Sequence, residues 1–187
     1  MKIETYPWEH LIIDNFYDEQ LFANMKKEMS EFIREKKNNY THDIRKQKRF
    51  LIMDTDINFP KILPETYKCL ISRPVDASYL DFFSKVRDYI SIKAESEINV
   101  CLDDLDYPIH DENIKKILSC VVYVMPEESR GTILYDKDKN FVKELEWKPN
   151  TMFIFPGLEG ITWHSYKCIP GSYRITINTF LKDLNRR

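Results

Sequence analysis

Two of the four histidines in the chain, His110 and His164, lie near other groups that could share a metal ion with them. Glu112 follows closely after His110, and Arg174 follows closely after His164. Two imidazoles and one carboxylate form a facial triad that holds non-haem Fe(II) and leaves coordination positions open. An arginine beside such a triad could bind the carboxylate of a cosubstrate through a bidentate pair of hydrogen bonds. These four residues therefore predict a site that activates oxygen.

The carboxylate of this predicted triad is either Glu112 or Asp111. Side chains alternate along a β-strand, so His110 and Glu112 share one face of an extended segment and Asp111 faces the other way. We therefore predict Glu112 as the ligand. A β-bulge of one residue would present Asp111 instead. A further alternative is that each histidine is a hydrogen-bonded residue of a sheet core, with no metal role.

Arg174 lies in a segment, Tyr173–Asn178, in which polar and apolar residues alternate. Arg174, Thr176 and Asn178 share one face of the predicted strand, and two isoleucines share the other. A buried arginine is costly unless it is paired with an anion. A carboxylate cosubstrate would be a suitable partner. The alternative is that Arg174 pairs with an acidic side chain at the surface.

The C-terminal part of the chain has the pattern of short strands joined by turns. All four glycines lie beyond residue 130, where they and several prolines mark tight turns. The predicted strands are Tyr107–Glu112, Lys116–Met125, Thr132–Tyr135, Phe141–Glu146, Thr151–Phe155, Thr162–Tyr166 and Tyr173–Leu181. Short strands at this spacing predict a mainly β (α+β) fold, closed or made of two antiparallel sheets, such as a jelly roll.

The N-terminal part is predicted to contain a strand and two helices. His10–Ile13 is a short apolar run that is followed by turn and cap residues. Apolar residues then recur at helical spacing from Asp18 to about Lys37, and again from about Ala77 to Glu97. Helices that precede such a sheet are expected to pack on its outside.

Length and composition fit one domain with a substantial core. The chain has 187 residues, of which 43% are hydrophobic and 13% aromatic, and this suits a thick β-rich core. Within a single domain, 1–187, we expect the N-terminal strand and supporting helices in 1–99 and the jelly-roll core with the metal site in 100–187. The formal net charge of −2 indicates no field that would attract nucleic acid or a membrane.

The cysteines and the hydropathy pattern predict a cytoplasmic protein. The four cysteines include no C-x-x-C pair, the first residues do not resemble a signal peptide, and no apolar stretch could span a membrane. We therefore expect reduced thiols. A basic segment at residues 45–49 is either a solvated turn, which we favour, or a contact for an anionic partner.

The chain from about residue 100 to its C-terminus resembles the Fe(II)- and 2-oxoglutarate-dependent oxygenases, in the prolyl-hydroxylase-like branch. The resemblance is carried by His110-x-Glu112, by His164, and by Arg174 at the spacing found in that family. Three strand motifs support it, namely Ile117–Val124, Gly131–Tyr135 and Phe153–Pro156. One departure is that the carboxylate of the family is usually aspartate, whereas Glu112 stands here.

This resemblance implies a double-stranded β-helix whose metal ligands are His110, Glu112 and His164. It also implies that Arg174, Tyr123 and Thr176 bind 2-oxoglutarate, and that no catalytic residue is needed beyond the metal ligands.

The implied reaction is hydroxylation of a C–H bond in a peptidyl residue, proline included, or in a small molecule. It requires Fe(II), 2-oxoglutarate and O₂, with ascorbate as a supporting reductant. Two alternatives stay open: a jelly-roll binding module with weak or no activity, and a cupin-type metalloenzyme that does not use 2-oxoglutarate.

Overall fold

The computed structural model describes residues 1–36, 49–53, 58–86, 88–102 and 105–185. The strands are β1 (Lys2–Glu4), β2 (His10–Ile13), β3 (Arg49–Met53), β4 (Ile92–Leu102), β5 (Asp106–His110), β6 (Lys116–Met125), β7 (Thr132–Tyr135), β8 (Phe141–Glu144), β9 (Met152–Pro156), β10 (His164–Lys167) and β11 (Tyr173–Asp183). The helices are α1 (Glu19–Lys36), α2 (Phe59–Ile62), α3 (Pro64–Ser72) and a 3₁₀ helix (Ala77–Phe82). The basic segment lies outside the described residues, except for the backbone of Arg49.

In the described part of the chain the strands form two antiparallel sheets. The larger has seven strands in the order β1-β2-β9-β6-β11-β4-β3, and the smaller has four in the order β5-β10-β7-β8. Among the described strands, the two sheets remain separate and do not close into a barrel. This arrangement confirms the predicted fold class, a mainly β jelly roll with a few helices. The predicted boundary at residue 100, between the N-terminal part and the jelly-roll core, falls inside β4. This strand pairs with β11 along its whole length.

Helix α1 packs on the outer face of the seven-stranded sheet, as predicted for the N-terminal helices. Its apolar stripe buries Met25 and Met29 in one hydrophobic cluster with Ile177 of β11. Side chains that alternate with this layer point to the opposite face, where Phe153 packs with Leu134 of the four-stranded sheet. No helix among the described residues is long and apolar enough to cross a lipid bilayer.

The predicted second helix, from Ala77 to Glu97, is wrong. Of the described residues in this range, only Ala77–Phe82 is helical, as a 3₁₀ helix, and β4 begins at Ile92. Tyr89 and Ile90, which would belong to the apolar face of the helix, are exposed. From Ile92 onward, backbone pairing with β11 on one side and β3 on the other outweighs the helical spacing of the apolar residues.

Candidate functional site

A cavity of about 290 Å³ lies between the two sheets and is lined by residues from both. From the four-stranded sheet come His110, at the end of β5, and His164, at the start of β10. Arg174 and Thr176 come from β11 of the larger sheet, and Glu112 comes from the loop after β5. The structure thus brings all but one of the predicted site residues to a single cavity.

The two histidines face each other across the β5–β10 pair. They are register partners, and their ring centroids are 4.2 Å apart. The Nδ1 atom of His110 lies 2.9 Å from the carbonyl oxygen of Pro108, and that of His164 lies 2.9 Å from the carbonyl oxygen of Thr162. Because a carbonyl only accepts hydrogen bonds, Nδ1 carries a proton in each ring, and in the neutral form of the ring Nε2 has the lone pair. Metal-binding histidines are commonly fixed in this way.

His164 is held in its neutral form by its surroundings. Burial, followed by the charge of His110, lowers the pKa of His164 to about 4, although the Glu112 carboxylate acts in the opposite direction. The neutral imidazole is the form that binds a metal ion. The ring is therefore in its metal-binding form at neutral pH.

Glu112 is a buried, ionised carboxylate. Its Oε2 atom lies 2.8 Å from Nζ of Lys116, and its Oε1 atom accepts a hydrogen bond from the Ser119 hydroxyl. Burial raises the pKa of Glu112, but the charge of Lys116, the nearby His164 ring and these hydrogen bonds together outweigh burial, so the pKa lies below its ordinary value. The cavity therefore contains an anion beside the two imidazoles.

Glu112 lies in a loop, whereas the sequence predicts it at the end of a strand, Tyr107–Glu112. β5 ends at His110, so strand alternation does not explain the direction of Glu112. Asp111 also lines the cavity, but its Oδ2 atom accepts a hydrogen bond of 2.7 Å from the Gly160 amide. Among the described residues, no three His, Cys, Asp or Glu side chains are arranged so that they could hold a metal ion. The donor types in the cavity, two imidazoles and an ionised carboxylate, are nevertheless those that Fe(II) takes.

Arg174 is 1% exposed, and it takes part in none of the ion pairs formed between the described residues. Its Nε donates to the carbonyl oxygen of Arg130 at 3.3 Å. Three aromatic rings surround its Cζ atom: Tyr166 at 4.6 Å, Trp147 at 5.1 Å and Tyr123 at 5.5 Å. These cation–π contacts offset part of the cost of burial. A buried guanidinium in this state is suited to bind an anion.

The other two residues predicted for the cosubstrate differ in position. Thr176 is buried in the cavity wall, and its hydroxyl donates to Oδ1 of Asn178 at 2.9 Å. Tyr123 is absent from the cavity lining, since its hydroxyl donates to Oγ1 of Thr132 at 2.9 Å and accepts from the Thr132 amide at 3.0 Å. Tyr123 therefore reaches the site through Arg174 and Thr132, both of which line the cavity.

Sequence reasoning assigned neither Asn99 nor Trp147 to the site, and it gave Tyr166 only the role of apolar bulk beside His164. Tyr166 shares a strand face with His164, so strand alternation could have placed it in the site. Asn99, which donates to the Tyr166 hydroxyl at 3.5 Å, fell just beyond the wrongly predicted helix, and its direction could not be deduced. Trp147 lies in a loop, where no periodicity indicates the direction of a side chain.

No protein-family model matches the chain, and no curated protein matches it in sequence. Solved structures do match its fold. A prolyl hydroxylase from Trichoplax adhaerens, in complex with an oxygen degradation domain peptide of hypoxia inducible factor, is similar with a TM-score of 0.65 at 13% identity. The match covers 95% of this chain and 87% of that one.

Two further solved structures have the same architecture. An oxidoreductase of the 2OG-Fe(II) oxygenase family from Burkholderia pseudomallei gives a TM-score of 0.62 at 13% identity, over 92% of this chain and 84% of that one. The viral collagen prolyl hydroxylase of Paramecium bursaria Chlorella virus-1, in its 2OG complex, gives a TM-score of 0.55 at 13% identity. That match covers 94% of this chain and 96% of the viral one. At such identities the comparisons show the fold alone, and they confirm the resemblance to prolyl-hydroxylase-like oxygenases at that level.

Proposed function

We propose that this protein is an Fe(II)- and 2-oxoglutarate-dependent oxygenase that hydroxylates a C–H bond. The observation that carries the proposal is one cavity that contains two imidazoles, an ionised carboxylate and a buried guanidinium without an acidic partner among the described residues. The shared fold of solved oxygenases supports this assignment.

His110, Glu112 and His164 would hold the metal. Bound Fe(II), with 2-oxoglutarate and O₂, supplies the oxidising power needed to hydroxylate an unactivated C–H bond. The contribution of the protein is to fix the ligands and to limit the access of water. The carbonyl contacts fix both imidazole rings, and the Phe155 ring packs against His164 with centroids 4.8 Å apart, so one side of the site is apolar.

Arg174 would bind the distal carboxylate of 2-oxoglutarate through its Nη groups. The fork of a guanidinium matches a carboxylate in two parallel hydrogen bonds, and the surrounding rings exclude water that would weaken them. Thr176, on the same strand face, would add a hydroxyl contact. Tyr123 would support the pocket by its ring contact with Arg174.

The substrate that we propose is a peptidyl residue, proline included, with a small molecule as the alternative. The support is the Trichoplax adhaerens structure, which has a peptide bound to the same fold.

The experiment that tests this function measures succinate formed from 2-oxoglutarate in the presence of Fe(II), ascorbate and O₂. We expect turnover by the wild-type protein, and an increase of at least about tenfold in the KM for 2-oxoglutarate in Arg174→Gln, because the variant loses a charged pair of hydrogen bonds. Arg73→Gln is a matched control, since the Arg73 guanidinium lies 4.3 Å from the Phe16 ring and does not line this cavity.

The outcomes separate the rival functions. Metal binding without 2-oxoglutarate turnover or 2-oxoglutarate binding would favour a cupin-type metalloenzyme. The absence of both metal binding and turnover would favour a binding module.

A further inference from the structure

Trp147 is fixed in place by two contacts, although it lies in the loop between β8 and β9. Its ring stacks on Tyr123 with centroids 4.6 Å apart and an interplanar angle of 22°. Its Nε1 group donates a hydrogen bond of 2.9 Å to the carbonyl oxygen of Pro126. The indole therefore connects its own loop both to β6 and to the loop that follows β6.

These contacts connect Trp147 to Arg174 by two routes. The indole itself lies 5.1 Å from Cζ of Arg174. The loop that accepts the indole hydrogen bond at Pro126 also contains Arg130, whose carbonyl oxygen accepts from Nε of Arg174. Trp147 thus contacts the charged end of Arg174 and also helps to hold the carbonyl that fixes its Nε.

The direction of the Arg174 guanidinium matters because its Nη groups are the ones that an anion would contact. An arginine side chain has many rotamers, and a fixed guanidinium loses less freedom when it binds a carboxylate. Three rings and one carbonyl hold Arg174 here, and Trp147 is one of these rings. Trp147 also stacks on a second ring, that of Tyr123, and bonds to the loop that contains the carbonyl.

We propose that Trp147 is a positioning residue for Arg174, and that it thereby determines the affinity and chain-length selectivity of the cavity for a 2-oxo dicarboxylate. This inference rests on the proposed function, because it takes 2-oxoglutarate as the anion at Arg174.

The test is isothermal titration of 2-oxoglutarate into the anaerobic, Fe(II)-loaded protein. In Trp147→Leu we expect the Kd to rise about tenfold, because the variant loses the cation–π contact, the stacking on Tyr123 and the hydrogen bond to Pro126. In Trp147→Phe we expect a smaller rise of about two- to threefold, because an aromatic ring remains and only the hydrogen bond and part of the ring are lost. Trp163→Leu is the matched control, since Trp163 is a large aromatic residue that does not line the cavity or contact Arg174.

A second readout separates positioning from general destabilisation. The ratio of the Kd for 2-oxoadipate to the Kd for 2-oxoglutarate should fall severalfold in Trp147→Leu, because a looser guanidinium accommodates the longer acid. A variant that is only less stable would keep the wild-type ratio. If Trp147→Leu does not fold, Trp147→Phe provides the same two measurements with a smaller expected effect.

The possible results distinguish this inference from the proposed function. A wild-type protein that does not bind 2-oxoglutarate would overturn both. A wild-type protein that binds it, together with Trp147 variants of unchanged affinity and unchanged selectivity, would overturn only the positioning role of Trp147.

Discussion

At the scale of single residues, the adjacent carboxylates of Asp111 and Glu112 differ in what they bond to. The Asp111 carboxylate accepts a hydrogen bond from the Gly160 amide and so stabilises the turn before β10. The Glu112 carboxylate is buried beside Lys116 and Ser119, and the charge of Lys116 and the hydrogen bonds from both side chains keep it ionised. These surroundings are the reason that we propose Glu112, and not Asp111, as the metal ligand.

We therefore expect opposite results when each carboxylate is neutralised. Glu112→Gln should weaken Co(II) binding at least tenfold, or about 1.4 kcal/mol, because an anionic ligand is lost. Asp111→Asn should change it by less than about threefold, because the amide oxygen can still accept from Gly160. Titration followed by the visible absorption of Co(II) measures both. Loss of binding in Asp111→Asn with retention in Glu112→Gln would make Asp111 the ligand.

The sequence identifies the types of the site residues better than their directions. His110, His164 and Arg174 could be chosen because their types and spacing are characteristic, and all three line one cavity. Trp147 could not be chosen, because a tryptophan that packs in a core and one that holds a guanidinium have the same appearance in a single sequence. Its role depends on contacts with residues distant in the chain.

At the scale of elements, strands bounded by clear turns could be predicted and a strand defined by its partners could not. The predicted bounds of β6 and β7 agree with the observed Lys116–Met125 and Thr132–Tyr135. The first half of β4, by contrast, falls within the helix that the spacing of the apolar residues predicts. Its residues become a strand because β11 and β3 pair with it on both sides, and strand preference depends strongly on such context.

A close approach between two elements explains why residue 157 is glycine. A Cβ atom at Gly157 would lie 2.4 Å from the carbonyl oxygen of Lys116 and 3.3 Å from Cβ of Glu112. The Gly157 amide donates to the carbonyl oxygen of Ile117 at 2.8 Å, so the segment after β9 is held against the start of β6. The absence of a side chain here therefore helps to place the Glu112 carboxylate.

We expect Gly157→Ala to lower the free energy of unfolding by about 1–3 kcal/mol, the usual cost of overpacking. It should also weaken metal binding, because β6 and Glu112 must shift to make room. Urea unfolding and Co(II) titration measure the two effects. Gly171→Ala is the control: its φ of +76° makes alanine strained, but nothing lies within 4 Å, so stability should fall while metal affinity stays constant. If Gly157→Ala keeps the metal affinity of the wild-type protein, as we expect of Gly171→Ala, then Gly157 has no role at the site.

At the scale of the whole molecule, the site depends on how the two sheets stand relative to each other. They share no strand pairing in the described part of the chain, and hydrophobic side chains such as Phe153 and Leu134 fill part of the space between them. The histidines belong to the smaller sheet and Arg174 to the larger one. A metal ion would contact only the smaller sheet and its loop, whereas a cosubstrate bound to both the metal and Arg174 would connect the two sheets.

Ligand binding should therefore raise the Tm in two separable steps. Mn(II), an unreactive substitute for Fe(II), should give a first increase, and 2-oxoglutarate at about 100 times its Kd should add about 2.7 kcal/mol of stability, or roughly 5–10 °C in a chain of this size. Arg174→Gln should keep the metal step and lose the step from 2-oxoglutarate at the same concentration, since the connection to β11 is removed. Differential scanning fluorimetry measures both steps. If 2-oxoglutarate raises the Tm of Arg174→Gln as much as that of the wild-type protein, the acid binds without contacting Arg174, and the proposed connection between the two sheets is wrong.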